Sequence, residues 1–405
     1  MIEAVIVSTG DELTRGQTVD TNGAWIAGQL WRLGIHVRRI ITGGDQLLEL
    51  SAIIKQAVDI APVVIGTGGL GPTQDDLTRQ CVAMAFGVDL QEHPGAKQQV
   101  AEAYRSWGRE VKAGDQQVFL PAGSRVLKNS LGSAPGFSLQ VGRSTVYWLP
   151  GVPHEMKEMY HTQVKPDITG SYQLSPPHFR EIGVVMAESE IQSRLAGMQT
   201  SSVRLGYQVS PEGNRVKLLF EQGLSTRDHD RIVGDVQQRL SPNTYGCDGL
   251  SLHAAVALAL TSNAQTLAIA ESCTAGQICA RLASIPGASA FLNEGAVVYT
   301  NAAKVARCGV SEQTLRDYGA VSAQVVCQMA SGIRDRSQSS WGLAVSGIAG
   351  PTGGSKLKPI GTVHMAVAGP NGVRHVHHKI SGGRDLVTAR AATQALLALY
   401  QCLTM

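Results

Sequence analysis

The N-terminal third of the chain alternates short apolar runs with amphipathic stretches. Ala4–Val7, Val37–Ile41 and Val63–Thr67 are brief and rich in β-branched residues, which is typical of strands buried in a parallel sheet. Between them, Asn22–Leu33 and Leu47–Ile60 repeat apolar residues at the helical period. The alternation predicts an α/β domain whose parallel sheet is covered by helices on both faces.

A linker rich in Pro, Ser and Gly is predicted at Pro166–Pro177. The first domain is expected to close before it, with the strand Thr145–Leu149 and a helix from about His154 to Val164. Beyond it, Phe179–Tyr245 mixes two helical and three strand-like segments, which predicts a small α+β domain. A boundary rich in glycine follows, so the predicted domains span residues 1–168, 178–246 and 250–405.

The C-terminal segment returns to alternating strands and helices and ends in an antiparallel hairpin turned at Gly369–Gly372. The predicted strands are Thr266–Ala270, Glu294–Tyr299, Trp341–Val345, Thr362–Ala368 and Val373–Ile380. The predicted helices are Leu250–Leu260, Ala275–Ser284, Ser322–Ile333 and Arg384–Leu399. This segment is therefore predicted to be a second α/β domain.

Composition narrows the class of protein. The 405 residues are 43% hydrophobic, which is enough for packed cores, and the net charge of +3 is too small to indicate a nucleic-acid partner. The apolar runs are too short to cross a membrane, and no signal-peptide pattern follows Met1. The 7 cysteines include no Cys-x-x-Cys pair, so no zinc site or disulfide framework is indicated. A cytoplasmic protein with reduced thiols is expected.

A glycine-rich segment, Gly66–Asp76, follows a predicted strand and precedes a helix. Ligands bind beyond the carboxyl ends of parallel strands, where glycines let the backbone approach a phosphate. Asp75 and Asp76 could hold Mg²⁺ beside that phosphate, and the strand ends at Ser8–Glu12 and Pro150–Pro153 are expected to converge there. The alternative is a tight turn with an aspartate as helix cap.

This segment also carries a family resemblance. TGGLGPTQDD at 67–76, with GDEL and DTN before it and LPGVPHEM at 149–156, resembles the N-terminal domain of the CinA family. The resemblance implies the fold of molybdopterin-binding proteins and a metal-dependent ADP-ribose pyrophosphatase. Family members usually carry a lysine where this chain has Gly114–Val118, and losing that cation would weaken or abolish the activity. The implied nucleotide-binding residues are Asp11, Asp20, Asn22, Gly68, Gly69 and Thr73, with Asp75 and Asp76 as metal ligands.

Predicted strand ends in the C-terminal domain carry groups suited to amide hydrolysis. Ser272 lies where a helix is predicted to begin, so the N–H groups of Cys273 and Thr274 could bind an oxyanion. Lys304 lies one turn into another predicted helix, and burial can lower a lysine pKa until the amine acts as a base. Tyr299 ends the preceding strand and could relay or orient the proton.

The residues alone leave other interpretations open. Ser272 or Thr274 could be only a helix cap, and Lys304 could be a solvated surface lysine. Cys273 could be the nucleophile instead, because a helix N-terminus activates a thiol. The histidines of His375–His378 are interpreted as a solvated strand face, since only two of them share a side.

Six motifs between about residues 250 and 400 resemble the CinA C-terminal amidase domain. They are AESCTAG at 270–276, VVYTNAAK at 297–304, AVS at 320–322, SGIAGPTGG at 346–354, KPIGTVH at 358–364 and SGGRDLV at 381–387. The resemblance implies a metal-free nicotinamide-nucleotide amidase with Ser272 as nucleophile, Lys304 as base and Tyr299 as its partner. The implied substrate contacts are Cys273, Thr274, Asn301, Ser346, Gly347, Gly350 and Gly353, with Arg384 and Arg390 as candidates for the nucleotide phosphate.

The leading hypothesis from the sequence is therefore a deamidase of nicotinamide mononucleotide in pyridine nucleotide salvage. One alternative is a bifunctional enzyme that also cleaves ADP-ribose, and another is a non-catalytic nucleotide-binding regulator. Mg²⁺ is expected only at the N-terminal site, and neither nucleic acid nor a membrane is expected as a partner. A homo-oligomer is expected, because α/β domains of this kind often assemble.

Overall fold

The computed structural model describes residues 2–110 and 114–404. The chain divides after Pro177 into two compact units. No helix in these described ranges is long and apolar enough to cross a membrane.

The first unit is built on a six-stranded sheet with strand order β2-β1-β3-β8-β7-β6. Its strands, with the separate pair β4 and β5, are β1 Glu3–Thr9, β2 His36–Gly43, β3 Val63–Thr67, β4 Leu90–Glu92, β5 Phe119–Pro121, β6 Arg125–Leu127, β7 Gly136–Val141 and β8 Ser144–Leu149. β1 pairs in parallel with β2 and β3, and β3 with β8, so four carboxyl ends meet at one edge. β7 and β6 continue the sheet in antiparallel pairing.

Helices cover both faces of this sheet, as the sequence predicts. Val5 and Val7 belong to one buried apolar cluster and Ala4 and Ile6 to another, because successive side chains of a strand point to opposite faces. The helices are α1 Asp11–Thr14, α2 Thr21–Arg32, α3 Leu47–Ile60, α4 Thr78–Phe86, α5 Pro94–Ser106, α6 Pro153–Met159 and α7 Lys165–Ser171, with a 3-10 turn at Gln116–Val118.

The linker predicted at Pro166–Pro177 begins later than expected. A π-helical turn at Tyr160–Val164 joins α6 to α7, and α7 runs on to Ser171. Pro166 lies in the first turn of α7, where a proline does not remove a needed N–H donor. Ile168 is fully buried in the core, so packing against the sheet extends the helix through a sequence that looks like a linker.

The second unit contains two sheets. A four-stranded antiparallel sheet has the order β10-β11-β9-β12, and a five-stranded sheet has the order β14-β13-β15-β16-β17. The strands are β9 Phe179–Val184, β10 Val203–Gln208, β11 Asn214–Phe220, β12 Thr244–Cys247, β13 Leu267–Glu271, β14 Leu292–Val297, β15 Trp341–Gly347, β16 Thr362–Gly369 and β17 Gly372–Lys379. β13 is parallel to β14 and β15, whereas β16 and β17 form the predicted antiparallel hairpin.

Helices cover these two sheets as well. They are α8 Glu188–Arg194, α9 Thr226–Leu240, α10 Leu252–Ser262, α11 Gln277–Ala283, α12 Asn301–Cys308, α13 Glu312–Tyr318, α14 Ala323–Ser337 and α15 Arg384–Thr404, with a 3-10 turn at Ala288–Ala290. α12 and α14 approach each other closely at Gly332. A Cβ atom on Gly332 would lie 1.7 Å from the carbonyl oxygen of Cys308, the last residue of α12. Gly332 thus allows α12 to pack against α14.

We expect Gly332→Ala to lower the free energy of unfolding by roughly 1–3 kcal/mol, because the backbone of α12 must move away from the added methyl group. The matched control is Gly234→Ala in α9, where a Cβ would meet no atom within 4 Å. That control should raise stability by roughly 0.5–1 kcal/mol through helix propensity. Denaturant unfolding of both variants measures the two effects. If Gly332→Ala and Gly234→Ala both stabilise the protein, that result would contradict the close approach of α12 and α14.

Candidate active site

The strand ends of the five-stranded sheet bring Ser272 and Lys304 together. Ser272 directly follows β13, and Lys304 lies in the first turn of α12, which Thr300 caps by accepting a hydrogen bond from the Ala303 N–H. Lys304 Nζ is 3.1 Å from Ser272 Oγ. The side chains are almost fully enclosed, with Lys304 1% and Ser272 7% exposed. The interpretation of Lys304 as a solvated surface lysine is therefore wrong.

The Lys304 amine is surrounded by neutral groups. It donates hydrogen bonds to the carbonyl oxygens of Val298 at 2.9 Å and Tyr299 at 3.1 Å. It forms no ion pair with a carboxylate in the described part of the chain. Burial lowers the pKa of Lys304, although Cys273 and Cys308 act in the opposite direction. The amine is therefore neutral over a wider pH range than an exposed lysine.

The segment after Ser272 is a turn rather than the start of a helix. α11 begins at Gln277 and not at Ala275, which corrects the predicted boundary. The Ala275 N–H donates to the Ser272 carbonyl at 3.2 Å, and Ala275 adopts a φ of 51°. The N–H groups of Cys273 and Thr274 donate to no backbone oxygen in residues 2–110 and 114–404, although the Cys273 N–H also lies against its own sulfur.

Glu271 explains why α11 starts late, and sequence reasoning gave this residue no role. Its carboxylate is fully buried and accepts hydrogen bonds from the N–H groups of Gly276 at 3.0 Å, Ile278 at 3.2 Å and Cys279 at 2.8 Å. Charge-assisted bonds to backbone donors at a helix start offset the cost of burying a carboxylate. A signal was present, because Glu271 stands between an apolar strand and the Ser272 turn.

The Cys273 thiol is buried among apolar side chains. Cys273 is 5% exposed and belongs to the apolar core of the domain, and a Cβ on Gly347 would lie 3.0 Å from its sulfur. Burial raises the pKa of Cys273 to about 12, so the thiol stays protonated at neutral pH. The geometry favours Ser272 over Cys273 as nucleophile. The neighbouring Thr274 is fully buried, and its hydroxyl has no partner in the described part of the chain.

Tyr299 contacts Lys304 through its backbone carbonyl oxygen and not through its phenol. The Tyr299 side chain is 53% exposed, and its hydroxyl accepts a hydrogen bond from Arg384 at 2.8 Å. Arg384 also donates to the Gly350 carbonyl at 2.7 Å, so it spans two of the predicted segments. Arg390 is not part of this arrangement, because it donates to Ser381 and lines a different cleft.

The other predicted substrate contacts differ in whether they are exposed or already bonded within the protein. Asn301 is exposed at the start of α12. Ser346 is buried, and its hydroxyl donates to the Ala320 carbonyl at 2.8 Å, which gives it a structural role. Gly350 and Gly353 have φ values of 82° and 87°, which favour glycine in the loop after β15. This loop therefore presents mainly backbone groups.

The predicted N-terminal site is a cleft of about 480 Å³ at the carboxyl ends of the parallel strands. The glycine-rich loop from Gly68 to Pro72 lines it, together with Asp75 and Asp76. The Asp76 carboxylate accepts a hydrogen bond from the Thr73 N–H at 2.9 Å. No group of three His, Cys, Asp or Glu residues within the described ranges could hold a metal ion.

Three of the polar residues predicted there make internal contacts. Asp20 accepts from the Ser8 hydroxyl at 2.7 Å and caps α2. Asn22 donates to the Gly151 carbonyl at 2.7 Å, which ties α2 to the end of β8. Asp11 accepts a hydrogen bond from the N–H of Asp45 at 3.1 Å. These residues shape the strand ends, whereas Gly69, with a φ of 64°, lines the cleft itself.

Arg79 is a cation beneath this loop that sequence reasoning missed. It is 1% exposed and donates to the carbonyl oxygens of Leu70 at 2.7 Å and Gly71 at 2.8 Å. Burial lowers the pKa of Arg79 to about 10. The altered stretch of residues 114–118 packs on the same loop, since Gln116 donates to the Thr73 carbonyl. Two amides, Gln116 and Gln117, and the carboxylate Asp115 thus occupy the stretch where the resemblance implies a lysine.

The histidines of the C-terminal hairpin form a separate cluster. His375 and His377 lie on one face of β17, and His364 stands opposite His377 on β16. His364 Nδ1 and His375 Nε2 are 3.0 Å apart. Burial and the neighbouring imidazoles lower the pKa of His364 to about 4, so the His364 ring is uncharged at neutral pH.

Known proteins resemble the chain along its whole length. Two family models match in succession, "Probable molybdopterin binding domain" at residues 5–170 and "CinA C-terminal domain" at residues 250–403. A CinA-like protein of Anaeromyxobacter dehalogenans is 36% identical over 404 residues, which cover 98% of each chain. A CinA-like protein of Desulfosudis oleivorans is 38% identical over 384 residues, covering 92% of this chain and 93% of the relative.

Among solved structures, the competence/damage inducible protein CihA from Agrobacterium tumefaciens is 40% identical. The similarity covers 38% of this chain and 94% of that chain, with a TM-score of 0.37. The full-length relatives and the two family models agree on one assignment, and the chain belongs to the CinA family.

Proposed function

We propose that the C-terminal domain hydrolyses the amide of nicotinamide mononucleotide to nicotinate mononucleotide and ammonia. The observation that carries the proposal is the 3.1 Å contact between Ser272 and the buried amine of Lys304. Burying a lysine without a carboxylate partner costs free energy. A purely regulatory binding module would gain nothing from a lysine buried in this way. Membership of the CinA family supports the nucleotide as substrate.

The hydrogen bonds of Lys304 indicate in which direction a proton can pass between Ser272 and Lys304. A neutral amine has two N–H groups and one lone pair. The carbonyl oxygens of Val298 and Tyr299 accept the two N–H groups. In the neutral form the remaining tetrahedral position carries the lone pair, and in this proposal that lone pair is directed at Ser272 Oγ, 3.1 Å away. The neutral form of Lys304 is therefore oriented as an acceptor for the serine proton.

The reaction follows from this orientation. Ser272 Oγ attacks the amide carbon as Lys304 Nζ takes its proton, and the N–H groups of Cys273 and Thr274 stabilise the oxyanion. The protonated Lys304 then gives the proton to the leaving nitrogen, which departs as ammonia. Water attacks the acyl-enzyme, losing its proton to Lys304, and the carboxylate product leaves as Ser272 Oγ regains a proton. No step requires a metal ion.

Arg384 and Tyr299 are proposed to hold the nucleotide. The Arg384 guanidinium is fixed by Gly350 and by the Tyr299 hydroxyl, which places a cation at the exposed side of the site for the phosphate. The exposed Tyr299 ring offers a face to the pyridinium cation. In this proposal Tyr299 positions the substrate and contributes only its backbone carbonyl to Lys304.

The N-terminal cleft supports a second, separate proposal, which is metal-dependent binding of ADP-ribose. Carboxylates line the cleft at Glu12, Asp45, Asp75, Asp76 and Glu155. They would repel a pyrophosphate, so a cation must lie between them and the ligand. Mg²⁺ is commonly held by one or two carboxylates together with substrate phosphates, and Asp75 and Asp76 fit that role.

Ser272→Ala and Lys304→Ala should each lower kcat for nicotinamide mononucleotide by at least roughly 10³-fold with little change in nucleotide binding. The reason is that both residues act on the transition state. The double variant should lose scarcely more than either single variant, because the two act as one unit. Ammonia release and calorimetric binding measure these quantities.

Cys273→Ala is the matched control for these variants. Its thiol is buried and protonated, so most of the activity should remain. An inactive Cys273→Ala enzyme beside an active Ser272→Ala enzyme would show that the serine mechanism is wrong.

The pH dependence follows from Lys304. Only the neutral amine accepts a proton, so kcat/KM should rise with pH through the Lys304 pKa and then level off. Burial places that midpoint below the ordinary value of 10.5. Initial rates of ammonia release across pH give the profile, with unfolding monitored in parallel. A rate that falls as the pH rises over this range would be inconsistent with Lys304 as base.

ADP-ribose should bind the full chain in the presence of Mg²⁺, and EDTA should abolish that binding. Asp75→Asn should weaken the Mg²⁺-dependent binding, by roughly tenfold if one metal ligand is lost. Asp59→Asn, at an exposed position of α3 outside the cleft lining, is the matched control for the loss of one negative charge. Calorimetry measures all four conditions, and equal affinity with Mg²⁺ and with EDTA would remove the metal from the proposal.

A further inference from the structure

The second unit contains a cleft that the proposed amidase does not use. Its volume is about 540 Å³, within the size range of small-molecule sites. It opens between the loops that follow β9 and β10 and the segment that joins β17 to α15. Ser272, Lys304, Tyr299 and Arg384 are absent from its lining residues.

The walls of this cleft are tied together. Asn214, 9% exposed, donates to the Met186 carbonyl at 2.7 Å and accepts from the Ser210 N–H at 3.0 Å. Thr393, 2% exposed, donates to the Pro211 carbonyl at 2.8 Å. These bonds connect α15 with both loops, so the cleft is formed before any ligand arrives.

The charges along the cleft favour an anion. Lys379 and Arg390 are exposed at its rim, and neither forms an ion pair with a residue in the described ranges. Glu188 is the sole carboxylate among its described lining residues. Burial lowers the pKa of His378, so this residue contributes a neutral ring at neutral pH. Two exposed cations without ion-pair partners in the lining of one cleft suit a phosphate group.

Apolar side chains form another part of the lining. Val185, Met186 and Ile380 are each 8% exposed, and Val209 and Pro211 also line the cleft. Bare phosphate would leave these surfaces wet, whereas a ligand with a flat ring would cover them. We propose that this cleft binds a phosphate ester of mononucleotide size, with its phosphate on Lys379 and Arg390 and its ring against the apolar wall.

AMP is the probe for this site, and the full chain in EDTA is the protein. EDTA removes metal-dependent binding at the N-terminal cleft from the measurement. Wild-type protein should bind AMP in calorimetry, and the double variant Lys379→Gln/Arg390→Gln should bind it at least about tenfold more weakly. Both side chains are exposed, so the variant should unfold at the wild-type temperature.

Two single variants test whether AMP binds in this cleft or elsewhere on the protein. Arg384→Gln alters the proposed amidase site, and Arg231→Gln removes an exposed arginine from α9, outside the cleft lining. Both should bind AMP as the wild-type protein does. An equal loss of affinity in either control, or no loss in the double variant, would overturn the proposal.

Adenosine and inorganic phosphate test whether both the ring and the phosphate of AMP are needed for binding. Both should bind at least about tenfold more weakly than AMP, because each reaches only half of the site. If inorganic phosphate binds as tightly as AMP, the apolar wall is irrelevant and the nucleotide assignment is wrong. None of these measurements uses deamidation, so they succeed or fail independently of the proposed amidase.

Discussion

The burial of the Lys304 amine is the constraint on which the C-terminal site depends. An ammonium group 1% exposed and without a carboxylate is unfavourable, so burial disfavours the charged form and the N–H groups must find acceptors. Val298 and Tyr299 provide them, just beyond the end of β14. The Val298 N–H in turn donates to the Glu271 carbonyl at 2.7 Å. The strand that presents the nucleophile therefore also fixes the acceptors of the base.

Glu271 completes this arrangement from the other side of the nucleophile. Its carboxylate takes up the backbone donors at the start of α11, so the chain between them must form a separate turn. That turn directs Ser272 toward Lys304 and Cys273 into the core. Two adjacent nucleophilic side chains are thus distinguished by geometry, since one meets a base and the other meets apolar side chains.

The sequence predicts those features that depend on local pattern. Leu47–Ile60 and Val63–Thr67 match the structure because their burial follows directly from the order of apolar residues. It does not predict the late start of α11, which depends on the Glu271 carboxylate turning back onto the N–H groups of Gly276, Ile278 and Cys279. The sequence also does not predict that the Tyr299 phenol contacts Arg384 instead of Lys304, because the direction of a side chain after a strand end depends on its neighbours. One distinction was accessible, because residues 384 and 390 lie about 120° apart around a helix and therefore project in different directions.

The same topological rule produces two sites of opposite charge in this chain. Both lie at the carboxyl ends of parallel strands, where loops can approach a ligand. In the C-terminal domain Gly350 and Tyr299 hold the Arg384 guanidinium, so under the proposed function the nucleotide phosphate meets a cation of the protein itself. In the N-terminal cleft the cation Arg79 is buried and used by backbone carbonyls, and carboxylates remain at the surface. Under the two proposed functions, a phosphate there needs a counter-ion from solution, so the availability of a metal ion would govern binding at the N-terminal site and not at the C-terminal site.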